Sequence, residues 1–358
     1  MVNLFFILCG LLKIRFIYMN SFSTNKYKKN IKKPNNPSNI ENNYSNIKKK
    51  NLIISVLVNY KWKIIAPFFI SYAKSGFHNC DCIIFVYNIS KSTITKIKSF
   101  GVIVYDIPKK FKYKKITYYR WKIYNDFLIS NKNKYNLVFS TDIRDVFFQK
   151  DVFQYYNDYS SFLGIALEAE NLSQSRNKQW LISAYGFDLY KKIKNQRIIC
   201  LGTVWGTIDK LIEFSNIIWK QLDTEWSIKH NVRDQAVANF LIYHDKMFQD
   251  YLIRSDNKNG PVMTLALLRK KKDLIHFDID DNIINGNGMV AAVIHQYDRI
   301  PQIVKKVMNK YYPEIIYIKK SYNYIIIFLI FFMLALKIIL KGLLYKLVSR
   351  KISTNHKI

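Results

Sequence analysis

Along the middle of the chain, short apolar runs alternate with stretches of helical spacing. Leu52–Val58 is a continuous aliphatic run, the mark of a strand buried on both faces of a parallel sheet. A helix around Pro67–Ser75 follows, then a strand at Cys82–Tyr87, a helix at Lys91–Ser99 and a strand at Val102–Tyr105. Within Tyr118–Ser130, the residues Trp121, Tyr124, Phe127 and Leu128 share one helical face. Asn136–Ser140 reads as a fourth strand, ending at Thr141-Asp142. Repeated strand–helix units predict an α/β sheet with helices on both faces. Ligands in such sheets bind beyond the carboxyl ends of the strands, and Asp142 stands at one of those ends.

The second half is less regular. Phe162–Ala166 and Ile198–Leu201 read as strands, Ile208–Lys220 and Arg233–Tyr243 as helices, and Arg269–Asp281 as a polar stretch with some strand. No internal repeat is visible.

Apolar runs also mark both ends. Residues 3–12 are apolar and are followed by Lys13 and Arg15. They are short of the ~20 residues a membrane span needs and fit a signal-type segment or shallow anchor. Tyr322–Leu336 carries no charge and leads into a Lys/Arg-bearing tail, which suits an interfacial helix or a tilted span with snorkelling lysines. The predicted organisation is a hydrophobic segment over 1–19, a polar linker over 20–50, an α/β domain over 51–312 and a membrane-associated helix over 322–351.

Composition changes this picture little. Hydrophobic residues make up 49% of the 358, ample for a core, so the bulk of the chain is not disordered. The net charge of +31 suggests nucleic acid or anionic lipid as a partner. However, a joint excess of Asn, Ile, Lys, Tyr and Phe is what AT-rich coding produces, so much of the lysine is drift on solvated faces. Lysines concentrate in 26–50, 109–115, 270–272 and near the C-terminus. The first and last of these flank the hydrophobic segments, which favours a membrane surface and argues against nucleic acid. The cysteines Cys9, Cys80, Cys82 and Cys200 have neither zinc spacing nor the density of a disulfide framework, and they read as buried free thiols.

Candidate chemistry centres on Asp142-Ile143-Arg144-Asp145, three charges directly after the apolar Leu137-Val138-Phe139 and before Val146-Phe147-Phe148. Carboxylates so embedded need an ion pair or a metal. Mg²⁺ or Mn²⁺ on oxygen ligands fits, and so does a strand-end pair of Arg144 with Asp142 or Asp145. Local chemistry leaves both readings open.

A wider pattern separates them. Tyr135–Gln149 followed by Asp151-Val-Phe153 resembles the metal-binding region of GT-A-fold, nucleotide-sugar glycosyltransferases of the DXD type, in a subgroup with an Asp-x-Arg-Asp-Val-x-Phe-Gln signature. Arg120–Leu128 resembles the preceding helix that lines the nucleotide pocket. Cys200-Leu-Gly-Thr-Val-Trp-Gly206 resembles the segment near the donor sugar. Asp234-Gln235 with Asn239 resembles the acceptor-side helix, and Val293–Arg299 the C-terminal histidine motif. These motifs occur in order over roughly residues 51–305.

The resemblance implies a GT-A-like, Rossmann-type mixed sheet and a Mn²⁺ or Mg²⁺ cofactor held by Asp142, Asp145 and His295. It implies a nucleoside diphosphate sugar as donor, a glycan or lipid-linked acceptor, and hexose transfer; the terminal hydrophobic segments add the membrane. Asp142 would also meet the ribose. Arg120 would pair with a phosphate or with Asp142, against the plain reading of a solvated helix charge. Gly202 and Thr203 would let the backbone approach the sugar, against a tight turn after a strand. Arg144 and Gln235 would bind substrate. Asp234 would be the base of an inverting reaction, or a helix-start residue favoured by the dipole. Glu168 and Glu170 are a second acceptor-side candidate, or a solvated loop. Leu201 stands where the subgroup has a small polar residue, which bears on donor-sugar contacts and leaves the metal site untouched.

Two rival functions remain. A nucleotidyltransferase would need a glycine- and lysine-rich phosphate loop after the first strand, where this chain has Asn59-Tyr60-Lys61-Trp62. A membrane-bound, non-enzymatic scaffold would show no metal-dependent donor binding. A nucleic-acid partner rests on charge alone.

Overall fold

A computed structural model describes residues 49–108, 116–174, 176–268 and 275–312, together with Met333. The segments 1–19 and 20–48 and the helix expected over 322–351 lie outside the described residues, apart from Met333. So do the lysine clusters at 109–115 and 270–272. No helix among the described residues is long and apolar enough to cross a membrane.

The strands β1 (Lys50–Val58), β2 (Cys80–Tyr87), β3 (Ile103–Asp106) and β4 (Tyr135–Thr141) pair in parallel, in the order β3-β2-β1-β4. Three longer or later strands extend the sheet: β7 (Arg197–Thr207), β6 (Leu163–Asn171) and β8 (Leu252–Ser255). β7 runs antiparallel to both β4 and β6, so the seven-stranded sheet is mixed, as expected.

Side chains alternate between two cores, which is why the strands read as unbroken apolar runs. Leu52, Ile54, Ile83 and Phe85 face one core. Ile53, Leu57, Ile84 and Val86 face the other. The first core is covered by α3 (Ile116–Ser130), α4 (Asn177–Tyr185), α5 (Phe187–Ile193), α6 (Ile208–Leu222) and α8 (Asp234–Tyr243). The second is covered by α1 (Trp62–Lys74) and α2 (Lys91–Lys98). A short α7 (Glu225–Lys229) precedes α8, and α9 (Pro301–Tyr311) closes the described chain.

Helix α1 starts five residues before the expected Pro67, which lies inside it. The missing N–H would have served the carbonyl of Lys63, an exposed residue that water can reach, so the proline is tolerated. A second, three-stranded sheet orders β5 (Val146–Phe148), β12 (Val293–His295) and β9 (Val262–Thr264). A two-stranded ribbon, β10 (His276–Phe277) with β11 (Ile283–Ile284), accounts for the strand character expected over 269–281.

Candidate metal centre

The carboxyl end of β4 is pinned from both sides. The Ser55 hydroxyl of β1 donates to the Thr141 carbonyl, and the Ser140 hydroxyl donates to the Val204 carbonyl at 2.9 Å. One residue on, the Asp142 N–H donates to the Gly202 carbonyl at 2.8 Å. Polar residues therefore end this apolar strand because each holds a neighbouring backbone, and Asp142 emerges from a rigid edge.

The second half of the motif works through pairing. Val146-Phe147-Phe148 forms β5, whose partner β12 sets His295 opposite Val146. The Gln149 amide then donates to the carbonyls of Ile283 at 2.9 Å and Ala291 at 2.7 Å, and accepts from the Ile283 N–H at 2.8 Å. Immediately after the histidine, the Gln296 N–H donates to the Asp145 carbonyl at 2.7 Å. The residues Val146–Gln149 therefore fasten a distant strand, and that strand delivers the imidazole to the two carboxylates.

His295 Nε2 lies 3.7 Å from Asp142 Oδ2 and 3.8 Å from Asp145 Oδ1. One candidate ligand atom from each of the three residues falls within 4.8 Å of the others, so the trio could hold a metal ion. Ligands on one ion with bonds of ~2.1 Å stand roughly 3–4 Å apart, so the spacing suits a divalent cation. His295 is 1% exposed, and its Nε2 faces the two carboxylates without a hydrogen-bond partner. Two oxygens and one nitrogen favour Mn²⁺ over the more oxygen-selective Mg²⁺.

The electrostatics agree. Burial alone would depress the His295 imidazole. Cys200, Asp142 and Asp145 nevertheless raise it well above its ordinary value, so the cavity demands positive charge. Burial would raise Asp142, which stands deep in the protein envelope yet opens to solvent with 41% of its side chain. Contacts with His295 and Arg120 lower it instead. Arg144 pairs with Asp145 at 2.9 Å and Asp298 at 3.3 Å, so the ion-pair reading of the motif is also realised, through Asp145 and not Asp142.

Gly202 explains itself here. A Cβ at this position would meet the His295 ring at 2.1 Å and Asp142 Oδ2 at 2.9 Å. The glycine makes room for the ligands themselves, where the sequence suggested room for a sugar. Neither Gly202 nor Thr203 is a turn after a strand. Both lie within β7, in a bulge: Val204 pairs with Ile165 and Cys200 with Ala166, leaving Leu201, Gly202 and Thr203 without counterparts in β6. Thr203 is fully buried.

Arg120 is not a solvated charge. It is buried, donating from Nη1 to Asp142 at 2.9 Å and from Nη2 to Asp234 at 2.6 Å and the Leu201 carbonyl at 3.2 Å. Asp234 begins α8, and its Oδ1 accepts the Gln235 N–H at 2.9 Å. Its Oδ2 also accepts from Trp121 Nε1 at 3.1 Å. With both oxygens so engaged, Asp234 braces Arg120, a poor arrangement for a general base. Gln235 donates to Glu168 Oε1 at 3.0 Å. Glu168 is a buried residue of β6 and not part of a solvated loop, and burial raises its carboxyl.

Sequence reading missed one participant. Cys200 Sγ lies 3.3 Å from His295 Nδ1, behind the ligand. With Nε2 turned to a cation, Nδ1 carries the hydrogen and donates it to sulfur, an outer-shell contact that fixes the tautomer. The pairing had no local signal, because Cys200 and His295 are far apart in sequence. Cys82 is buried as expected, Cys80 is half-buried, and Cys9 lies outside the described residues.

No protein-family model matches the chain, and no curated protein matches it. Among solved structures, an active-site mutant of LgtC aligns with 68% of this chain and 86% of its own, at 13% identity and a TM-score of 0.43. The galactosyltransferase LgtC in complex with donor and acceptor sugar analogues aligns over the same shares at 15% identity and a TM-score of 0.39. At scores this low the function rests on the site itself.

Proposed function

We propose that this protein is a Mn²⁺-dependent glycosyltransferase of the GT-A type, moving a hexose from a nucleoside diphosphate sugar to a glycan or lipid-linked acceptor. The observation that carries this reading is the convergence of Asp142, Asp145 and the orphaned His295 Nε2 at the carboxyl edge of the sheet. The ordered motifs around them support it. When bound, the cation supplies Lewis-acid neutralisation of the departing diphosphate. Asp142 and Asp145 hold it with His295. Asp142 also faces the opening, where a ribose hydroxyl can reach it. Arg120, braced by Asp234, keeps Asp142 ionised and oriented.

In transfer, the bond from the anomeric carbon to the diphosphate oxygen breaks and a bond to the acceptor oxygen forms. Because Asp234 is committed to Arg120, Trp121 and its own helix start, the acceptor proton would pass to the departing diphosphate. Gln235 and Glu168, paired with each other near His295, would hold the acceptor. The hydrophobic segments at 3–12 and 322–336 would keep the enzyme at a membrane.

The test is Mn²⁺-dependent hydrolysis or transfer from nucleotide sugars by the wild type and Asp145→Ala. The variant should lose more than the about 10- to 100-fold typical of outer-shell changes. Equal turnover in the two proteins would sink the assignment.

A further inference from the structure

Of the 56 basic residues only ten are arginines. In a chain whose composition drifts towards lysine, arginine persists where its planar fork does something an ammonium cannot. The metal centre bears this out. Arg120 and Arg144 bind its carboxylates, and Arg299 lies 3.9 Å from Asp145.

Two further arginines, Arg197 and Arg254, share one cavity of about 340 Å³ with Lys246. No carboxylate lines it; Gln196, Tyr243 and Gln249 complete the polar wall. The groups that hold the arginines are largely neutral. Arg197 Nε donates to the Glu168 carbonyl at 2.6 Å, and Arg254 Nη2 donates to the Gln249 side-chain oxygen at 2.9 Å. The nearest counter-charge, Asp256, stands 3.7 Å from Arg197. The Tyr243 hydroxyl donates to the Arg197 carbonyl at 2.7 Å and fixes the floor. Two oriented guanidinium groups and an ammonium therefore converge on a cavity without an anion.

The cavity lies at the amino end of β7. Arg197 starts β7, and Cys200, which touches His295, lies three residues further on, about 10 Å at strand spacing. Glu168 stands between them, giving its carbonyl to Arg197 and its carboxylate to Gln235. Glu168 thus joins the cavity to the residues beside the metal centre.

We infer that this cavity binds an oxyanion carried by the acceptor, a phosphate or a carboxylate, and so selects anionic acceptors. The inference rests on the transferase reading above. Its test is calorimetric titration of the full chain, with Mn²⁺ and a nucleoside diphosphate saturating the metal centre and again in EDTA, using three probes: inorganic phosphate, galactose 1-phosphate and glucuronate. Arg254→Gln should weaken the preferred probe about tenfold, the scale of one charged hydrogen bond, and Arg254→Lys should recover only part of that. Lys246→Gln, which alters a bare charge, should weaken it less.

Preference for the sugar phosphate or for the uronate identifies the source of the oxyanion, and equal binding of inorganic phosphate assigns recognition to the group alone. Binding that is absent in the wild type, or unchanged in Arg254→Gln, overturns the proposal. Nucleotide binding that ignores Asp145→Ala overturns the transferase reading instead and leaves the EDTA titration standing.

Discussion

The two halves of the large sheet are built differently. In β3-β2-β1-β4 each strand pairs in register with its neighbour over several residues, with a single irregularity in β1 against β4. From β7 onward the sheet bulges, reverses direction and is joined by a second sheet of three-residue strands. The regular half makes an edge. The irregular half brings Gly202, Cys200 and His295 to that edge. A parallel α/β core is stable without chemistry, whereas the bulge in β7 and the short strand β12 carry Gly202 and His295 of the candidate site.

The strongest way to break this contrast is Gly202→Ala. The added Cβ would overlap the His295 ring, so Mn²⁺ affinity, followed by paramagnetic resonance, should be lost while the circular dichroism of the fold persists. Retained Mn²⁺ binding would mean the bulge is incidental.

Next comes Gln149→Ala, which removes three side-chain hydrogen bonds and should cost roughly 2–3 kcal/mol in urea unfolding. It should weaken Mn²⁺ binding as well, because β12 is what it fastens.

Smaller is Cys200→Ala, with about a tenfold loss of Mn²⁺ affinity, restored by Cys200→Ser, which can still accept from Nδ1. Equal affinity in all three proteins would remove sulfur from the account.

Smallest is a change in the regular half. Asp81 joins the amino ends of three strands through Lys50, Lys134 and Tyr135. Burial alone would raise its carboxyl, but these partners lower it from 3.8 to about 2. The folded value lies below the unfolded one, so the stabilisation is complete above pH ~4 and lost as the pH falls towards 2. Both lysines are about half exposed, so screening reduces it to about 1 kcal/mol. Asp81→Asn should lose that much at pH 7, flatten the acid limb and leave Mn²⁺ binding unchanged.

The regular half was legible for a physical reason. Strands buried on both faces must be apolar throughout, so Leu52–Val58 and Cys82–Tyr87 announce themselves, with ends off by a residue or two. The irregular half was legible only in its chemistry. β7 was read as stopping at Leu201 because Gly202-Thr203 resembles a turn, and nothing local distinguishes a turn from a bulge that aims a glycine at a histidine. β5, β9 and β12 are too short to show a period. The ligand trio came from ordered motifs. The engagement of Asp234 by Arg120 and Trp121, and of Cys200 by His295, needed the tertiary structure, since those contacts join residues far apart in the chain.

The fastening of β12 by Gln149 also sets an order of events in time. As the chain leaves the ribosome, Asp142 and Asp145 emerge long before His295, and their partner strand does not yet exist. On the proposed reading, the nascent protein would carry two carboxylates able to grip a cation only weakly, and full affinity would arrive when β12 docks. Metal capture would then signal that the polypeptide has been made through His295 and has closed correctly upon itself.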